Sequence, residues 1–68
     1  MTTSARDAVR AAYDALPESH RQVLSLARSG HSYVQIAEIV GVAPSMVSRW
    51  AVHALLSLGQ ASRSARVA

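Results

Sequence analysis

The chain has 68 residues, a formal net charge of +3 and no cysteine. This length allows one domain with a single small core, and the lack of cysteine excludes disulfides and thiolate metal sites. No apolar run approaches the ~20 residues needed to cross a bilayer, and no signal peptide is visible, so we expect a cytoplasmic protein.

Every basic residue apart from the histidines is an arginine. The guanidinium group binds phosphates and guanine edges in a two-pronged geometry, which suits a nucleic-acid partner. Arginine could equally be the ordinary surface cation of this protein, and composition alone leaves both interpretations open. The arginines are Arg6, Arg10, Arg21, Arg28, Arg49, Arg63 and Arg66.

Two helices are predicted in the first half of the chain. After residues 1–3, which we expect to be frayed, Ser4 is a plausible N-cap, with Asp7 in the first turn. Leu16-Pro17 separates the helices because proline is tolerated at a helix start, and Gly30 ends the second one. Their apolar faces are predicted to be Ala8, Val9, Ala12, Tyr13 and Leu16, then Val23, Leu24, Leu26 and Ala27.

Two further helices are predicted in the second half. Ser32 and Gln35 form a capping-box pattern that opens the third helix, Gly41 ends it, and Pro44 begins the fourth. Their inner faces are predicted to be Val34, Ile36, Ala37 and Val40, then Val47, Trp50, Ala51, Ala54, Leu55 and Leu58. We expect Gly59 to end the fourth helix and residues 60–68 to be a mobile basic tail. Residues 4–59 therefore predict an all-α, four-helix domain.

The third and fourth helices have the pattern of a helix-turn-helix. Ala37 is a small residue where the helices would cross, and Gly41 suits the left-handed backbone of the turn. Apolar residues at the right spacing would lock the helices together: Ile36, Val40, Val42, Val47 and Trp50. We expect a DNA-binding helix-turn-helix, with a plain helical bundle as the alternative. Trp50 is interpreted as a core residue rather than a base-stacking one.

The fourth helix would then be the recognition helix, whose N-terminal half enters the major groove. The side chains that point away from its apolar stripe are the candidate base-reading residues: Ser45, Met46, Ser48 and Arg49. Arg49 can donate two hydrogen bonds to guanine, unless it is only a solvated cation. Met46 could contact a thymine methyl group or simply fill a gap in the core.

Phosphate contacts are expected from other helices. Arg21, near the start of the second helix, and Ser32, at the N-terminus of the third, are the best candidates. Arg28 and His31 are weaker ones. His20, His31 and His53 lack metal-ligand spacing, and the four carboxylates form no catalytic pair. We therefore predict no enzyme activity, no cofactor and no metal site.

The stretch ALPESHRQVLSLARSGHSYVQIAEIVGVAPSMVSRW (residues 15–50) resembles the C-terminal promoter-binding domain, region four, of bacterial sigma factors, especially the extracytoplasmic-function type. The matching features are the Leu-Pro opening, Arg21, Val23-Leu24 and a Gly-x-Ser-Tyr-x-x-Ile-Ala string. That string consists of Gly30, Ser32, Tyr33, Ile36 and Ala37. The resemblance covers about residues 8–58 and departs from the family at Met46–Trp50, where a frequent arginine is replaced by Trp50.

This resemblance implies binding to the −35 promoter element within RNA polymerase holoenzyme, contact with the flap of the polymerase β subunit, and masking by an anti-sigma protein. It places Arg21 in the phosphate role and residues 45–49 in the base-reading role. Leu58-Gly59 also resembles the LuxR-type response-regulator output domain, which would dimerise through the fourth helix with Val52 and Leu56. A protein-interaction module docking on polymerase or an anti-sigma factor is the alternative of another class.

Overall fold

The computed structural model describes the backbone of residues 4–67 and the side chains of residues 4–65. The helices are α1 (Ala5–Ala15), α2 (Glu18–Arg28), α3 (Tyr33–Val40) and α4 (Pro44–Val67). The predicted all-α class with four helices is therefore confirmed. The frayed segment predicted at residues 1–3 and the end of the predicted tail at Ala68 lie outside the described residues.

The helix boundaries are set by local capping, as the sequence predicts. The Ser4 hydroxyl accepts a hydrogen bond from the Asp7 amide at 3.1 Å. At the start of α3, the Ser32 hydroxyl accepts from the Gln35 amide at 3.2 Å, and the Gln35 side chain accepts from the Ser32 amide at 2.8 Å. These bonds satisfy amide groups that have no partner within the first turn of a helix. They fix where α1 and α3 begin.

A small apolar cluster joins α2, α3 and α4. It consists of Val23, Ile36, Ala37, Val47 and Ala51, all at most 3% exposed. Three of these side chains, Ile36, Val23 and Val47, are the largest fully buried ones in the described part of the chain. The core is therefore built around the α3–α4 pair, with α2 covering it.

The first helix lies on the surface of this core. None of its residues is buried, and it packs mainly along α4. Its C-terminal end is tied to α2 by two polar contacts. The Tyr13 hydroxyl donates to the Arg21 carbonyl at 3.3 Å, and the Arg21 guanidinium donates to the Asp14 carbonyl at 3.1 Å. α1 thus depends on α2 and α4 for its position.

Two apolar residues predicted to face inward are exposed instead. Val34 is 58% exposed, because two residues along a helix from Ile36 is a rotation of about 200°, which places Val34 on the outer side of α3. Leu55 is 57% exposed although it follows Ala54, which is fully buried. It borders an open groove beside α4, so no other helix covers it.

The predicted end of α4 at Gly59 is wrong, because the helix continues to Val67. Among the described glycines only Gly30 and Gly41 have positive φ, at 97° and 84°. A glycine with helical dihedrals costs a helix roughly 1 kcal/mol relative to alanine but does not terminate it. Ala61, Ser62 and Ala65 are half-buried at helical spacing, so this segment of α4 presents one face to the rest of the protein.

We predict that alanine has opposite effects at two of the glycines. Gly41→Ala is expected to lower the free energy of unfolding by about 1–2 kcal/mol, because the left-handed conformation strains a residue with a Cβ atom. That Cβ would have open space around it, so strain is the only cost. Gly59→Ala is expected to raise the free energy of unfolding by about 0.5–1 kcal/mol.

Urea unfolding followed by circular dichroism measures both changes. A Cβ at Gly59 would lie 3.5 Å from an Arg63 guanidinium nitrogen, which is ordinary van der Waals contact. Destabilisation by Gly59→Ala would therefore contradict the continuous helix through this position.

Candidate nucleic-acid interface

α3 and α4 have the geometry of a helix-turn-helix. Their axes are bent by 105° at the connection, within the roughly 90–120° typical of this motif. The turn is residues 41–43. Gly41 adopts the left-handed conformation there, and the amides of Gly41 and Val42 both donate to the Ala37 carbonyl, at 2.8 and 3.0 Å. The chain therefore turns by 105° within three residues, and the C-terminal end of α3 keeps its hydrogen bonds.

The same bend bears on membrane insertion. Within the described residues, no single helix is long and apolar enough to cross a membrane. α3 and α4 meet that criterion only when they are taken together across the bend.

The residues predicted to lock the two helices together lie at their junction. Ile36, Ala37 and Val47 are buried, and Val40, Val42 and Trp50 pack against the same cluster while partly exposed. Because α3 and α4 share this core, the orientation of α4 relative to α3 is set by packing. A rigid orientation is what presentation of a helix to a DNA groove requires.

The four candidate base-reading side chains lie on the exposed face of the first two turns of α4. Ser45, Ser48 and Arg49 are exposed, and Met46 is 36% exposed. Residues 44–67 contain no aspartate or glutamate, so no carboxylate on α4 opposes the approach of a polyanion. The structure therefore brings all four residues together on one accessible surface.

Two of the candidate phosphate-binding residues also have structural roles. The Arg21 guanidinium donates one N–H group to the Asp14 carbonyl. A guanidinium has five N–H donors, so others remain for a phosphate. Ser32 is exposed at the N-terminus of α3, where its hydroxyl accepts the capping bond from Gln35. Its own O–H group remains a donor.

The two weaker phosphate candidates are placed differently. One ring nitrogen of His31, Nδ1, lies 3.1 Å from the Leu26 carbonyl at the end of α2, and the residue is half-buried. Arg28 lines the groove beside α4, which none of the candidate base-reading residues lines. The geometry thus separates Arg28 from the four candidate base-reading residues.

This groove, of about 960 Å³, lies between α1, α2 and α4 and was not predicted from the sequence. Its apolar lining includes Val9, Tyr13, Leu24, Ala27, Leu55 and Leu58, and its charged lining is Arg6, Asp7, Arg10, Asp14 and Arg28. The sequence indicates this groove only indirectly: α1 and α4 have more apolar residues than the small core buries. Its size and apolar lining suit a docked apolar segment.

A family described as Sigma-70, region 4 matches residues 6–58, which is most of the chain. The protein belongs to this family. No curated protein and no solved structure matches the chain. The family match favours the sigma-factor resemblance over the LuxR-type alternative.

A sigma-70 region 4 domain binds promoter DNA in transcription initiation, which makes it a DNA-binding domain rather than a catalytic one. The matched range contains α3, the turn, α4 as far as Leu58, and every residue that lines the groove. Residues 59–67, the last turns of α4, lie beyond the match. The family thus accounts for the helix-turn-helix and leaves this extension unexplained.

Proposed function

We propose that this sigma-70 region 4 domain reads the −35 promoter element through the N-terminal half of α4, as part of RNA polymerase holoenzyme. The observation that carries the proposal is the 105° bend between α3 and α4, which presents Ser45, Met46, Ser48 and Arg49 on one exposed face. On the resemblance described above, we also propose that the domain is of the extracytoplasmic-function type.

Base reading would follow from the side-chain chemistry of this face. The major groove of B-DNA, about 12 Å wide, admits an α-helix. Arg49 would donate two hydrogen bonds to the O6 and N7 atoms of a guanine. Ser45 and Ser48 would bond to base edges or phosphates, and Met46 would lie against a thymine methyl group.

The phosphate backbone would be held by helices other than α4. Ser32 offers its hydroxyl group beside the free amides of the first turn of α3, where the helix dipole favours an anion. Arg21 would add a charged contact from α2. These contacts carry no sequence information but fix the register of α4 in the groove.

The groove beside α4 would receive the flap of the polymerase β subunit. A partner in the groove would cover Leu55, which is 57% exposed, and the remaining exposed area of half-buried Leu24 and Leu58. That burial stabilises the complex by about 25 cal/mol per Å² of apolar area. An anti-sigma protein would mask the domain by occupying the same groove. This surface is the basis of the alternative in which the domain acts mainly as a protein-interaction module.

Binding to free DNA is expected to be weak. Arg49 is the only charged residue on the first turns of α4, so few phosphates are neutralised and few counterions are released. Attachment to polymerase would compensate by raising the effective concentration of the domain at the promoter.

An amide NMR titration of the isolated ¹⁵N-labelled domain tests both parts of the proposal. One duplex carries a candidate −35 element and the control duplex has the same bases in scrambled order, both at low salt. We expect residues 45–49 to shift only with the first duplex, and Arg21 and Ser32 to shift with both. A β-flap fragment should instead shift Val9, Leu24 and Leu58.

The outcomes separate the alternatives. No shift with either duplex, with the fold intact, would rule out recognition of free DNA. If the flap fragment still shifts the groove residues in that case, the domain is a protein-interaction module. Equal shifts of residues 45–49 on both duplexes would contradict base reading.

A further inference from the structure

A cluster of three aromatic rings connects α2 to α4 outside the groove. The ring of His20, on α2, lies 6.0 Å from the Trp50 ring and 6.3 Å from the His53 ring, both on α4, measured between centroids. His20 is half-buried and His53 is exposed. None of the contacts proposed above gives these two histidines a role.

We propose that His20 and His53 together bind one phosphate of the DNA backbone, and that they do so in their protonated forms. This inference rests on the proposed function, because it needs α4 in the major groove. It adds a phosphate contact from α4 itself to those expected from Arg21 and Ser32. A protonated imidazole donates from both ring nitrogens and accepts no hydrogen bond, which suits a phosphate oxygen.

The separation of the two rings fits a shared anion. Charge-assisted N–H···O bonds are about 2.7–2.9 Å long. Two imidazoles that donate to one phosphate oxygen at a near-tetrahedral angle therefore have ring centroids roughly 6–7 Å apart. The observed 6.3 Å between His20 and His53 lies in this range. Since His53 is exposed, its ring is free to turn a nitrogen toward the anion.

His20 is oriented by its neighbours. Its Nδ1 lies 3.0 Å from the Ser19 hydroxyl oxygen, and its ring packs against Trp50. In the protonated ring, Nδ1–H donates to that oxygen, and Nε2–H remains for the phosphate. His20 also belongs to the first turn of α2, where the helix dipole favours an anion.

Positive charge accompanies the pair on both helices. Arg49 lies one turn before His53 on the same side of α4, and Arg21 directly follows His20 on α2. Two protonated rings at this separation repel each other, and a phosphate between them offsets the repulsion. DNA binding and proton uptake therefore favour each other, so the affinity for DNA is highest at low pH and falls as the pH rises through the histidine range.

The four carboxylates of the chain do not share this surface. None of them is on α4. Asp7 and Asp14, on α1, line the groove, which neither histidine lines. Glu18 is two residues before His20, a rotation of about 200° that places it on the other side of α2. Glu38 is on the exposed side of α3, away from the core. The pair is thus open to a phosphate rather than occupied by a carboxylate.

The dependence of DNA affinity on pH tests the site. Fluorescence anisotropy at one salt concentration compares about pH 6 with about pH 8, on a duplex enriched from random sequence by the unaltered domain and on a scrambled one. We expect the unaltered domain to bind both duplexes roughly tenfold more tightly at the lower pH. His53→Gln should reduce this ratio to about threefold or less on both, because a phosphate contact carries no sequence information.

His53→Arg is the matched control. It supplies a hydrogen-bond donor whose positive charge is not lost in this pH range. We expect it to bind at the higher pH within about threefold of the unaltered domain at the lower pH. Circular dichroism at both pH values checks that each variant is folded. If His20→Gln does not fold because it loses contact with Trp50, the exposed His53 decides the result.

The outcomes distinguish this inference from the proposed function. If the unaltered domain prefers the enriched duplex and has the same affinity at both pH values, the phosphate site is wrong and base reading stands. A pH dependence that His53→Gln leaves unchanged would also overturn the site. Binding to neither duplex at either pH would overturn both the site and the recognition of free DNA.

Discussion

An Ile36→Ala variant is expected to lose about 2–5 kcal/mol of unfolding free energy. Ile36 is 0% exposed, heads the fully buried side chains by volume and belongs to the cluster that joins α2, α3 and α4. Removing its outer carbons takes away apolar burial and leaves a cavity that the small neighbours Ala37 and Ala51 cannot fill. A domain of this size typically has about 3–5 kcal/mol of stability. The variant should therefore be largely unfolded at 37 °C.

Ile39→Ala is the matched control for this experiment. It makes the same chemical change on the same helix, but Ile39 is 53% exposed, and surface substitutions usually change stability by no more than about 0.5 kcal/mol. Thermal unfolding followed by circular dichroism compares the two variants with the unaltered domain. Similar losses in both would show that α3 does not bury the face seen in the structure.

The second large effect is expected on DNA discrimination. Arg49→Ala should remove about 1–3 kcal/mol of preference for the promoter duplex over a scrambled one, because the variant cannot make the proposed two-pronged arginine–guanine contact. The promoter duplex is one enriched from random sequence by the unaltered domain. Fluorescence anisotropy on both duplexes at a fixed salt concentration measures the preference.

Arg63→Ala controls for the loss of a positive charge from the same helix. Arg63 is exposed and lies fourteen residues after Arg49, or about 21 Å along the axis. We expect this variant to keep its preference for the promoter duplex. If Arg49→Ala weakens binding to both duplexes equally, Arg49 contacts a phosphate rather than a base.

The features that were predictable from the sequence are those decided within one turn of chain. The Ser4 cap, the Ser32–Gln35 capping box and the positive-φ glycines that follow α2 and α3 depend on residues at most a few positions apart. The three-residue turn between α3 and α4 follows from Gly41 and Pro44 in the same way. These elements are enough to predict a helix-turn-helix.

The features that were not predictable depend on what packs against each helix. Leu55 has the spacing of a buried residue, yet it borders a groove that no other part of the described chain fills. Gly59 would end an isolated helix more readily than one whose following residues are partly covered. Apolar character alone cannot distinguish a residue that packs inside the domain from one that awaits a partner.

The contacts of His20 and Arg21 were also beyond sequence reasoning. His20 meets His53 across 33 positions of sequence, and only the packing of α2 on α4 brings them together. Arg21 was predicted as a phosphate ligand, but its bond to the Asp14 carbonyl gives it a structural role as well. Side chains with two roles are hard to assign because each role alone explains the residue type.

The small core has a consequence for how much of this protein a cell retains. With the fully buried side chains led by one isoleucine and two valines, a stability of about 3–5 kcal/mol leaves roughly one molecule in 10²–10⁴ open at any moment. A partner present at 100 times its dissociation constant adds about 2.7 kcal/mol, which reduces the open fraction about 100-fold. We therefore expect proteases to remove unbound domain first, so that its abundance follows the number of polymerase molecules available to bind it.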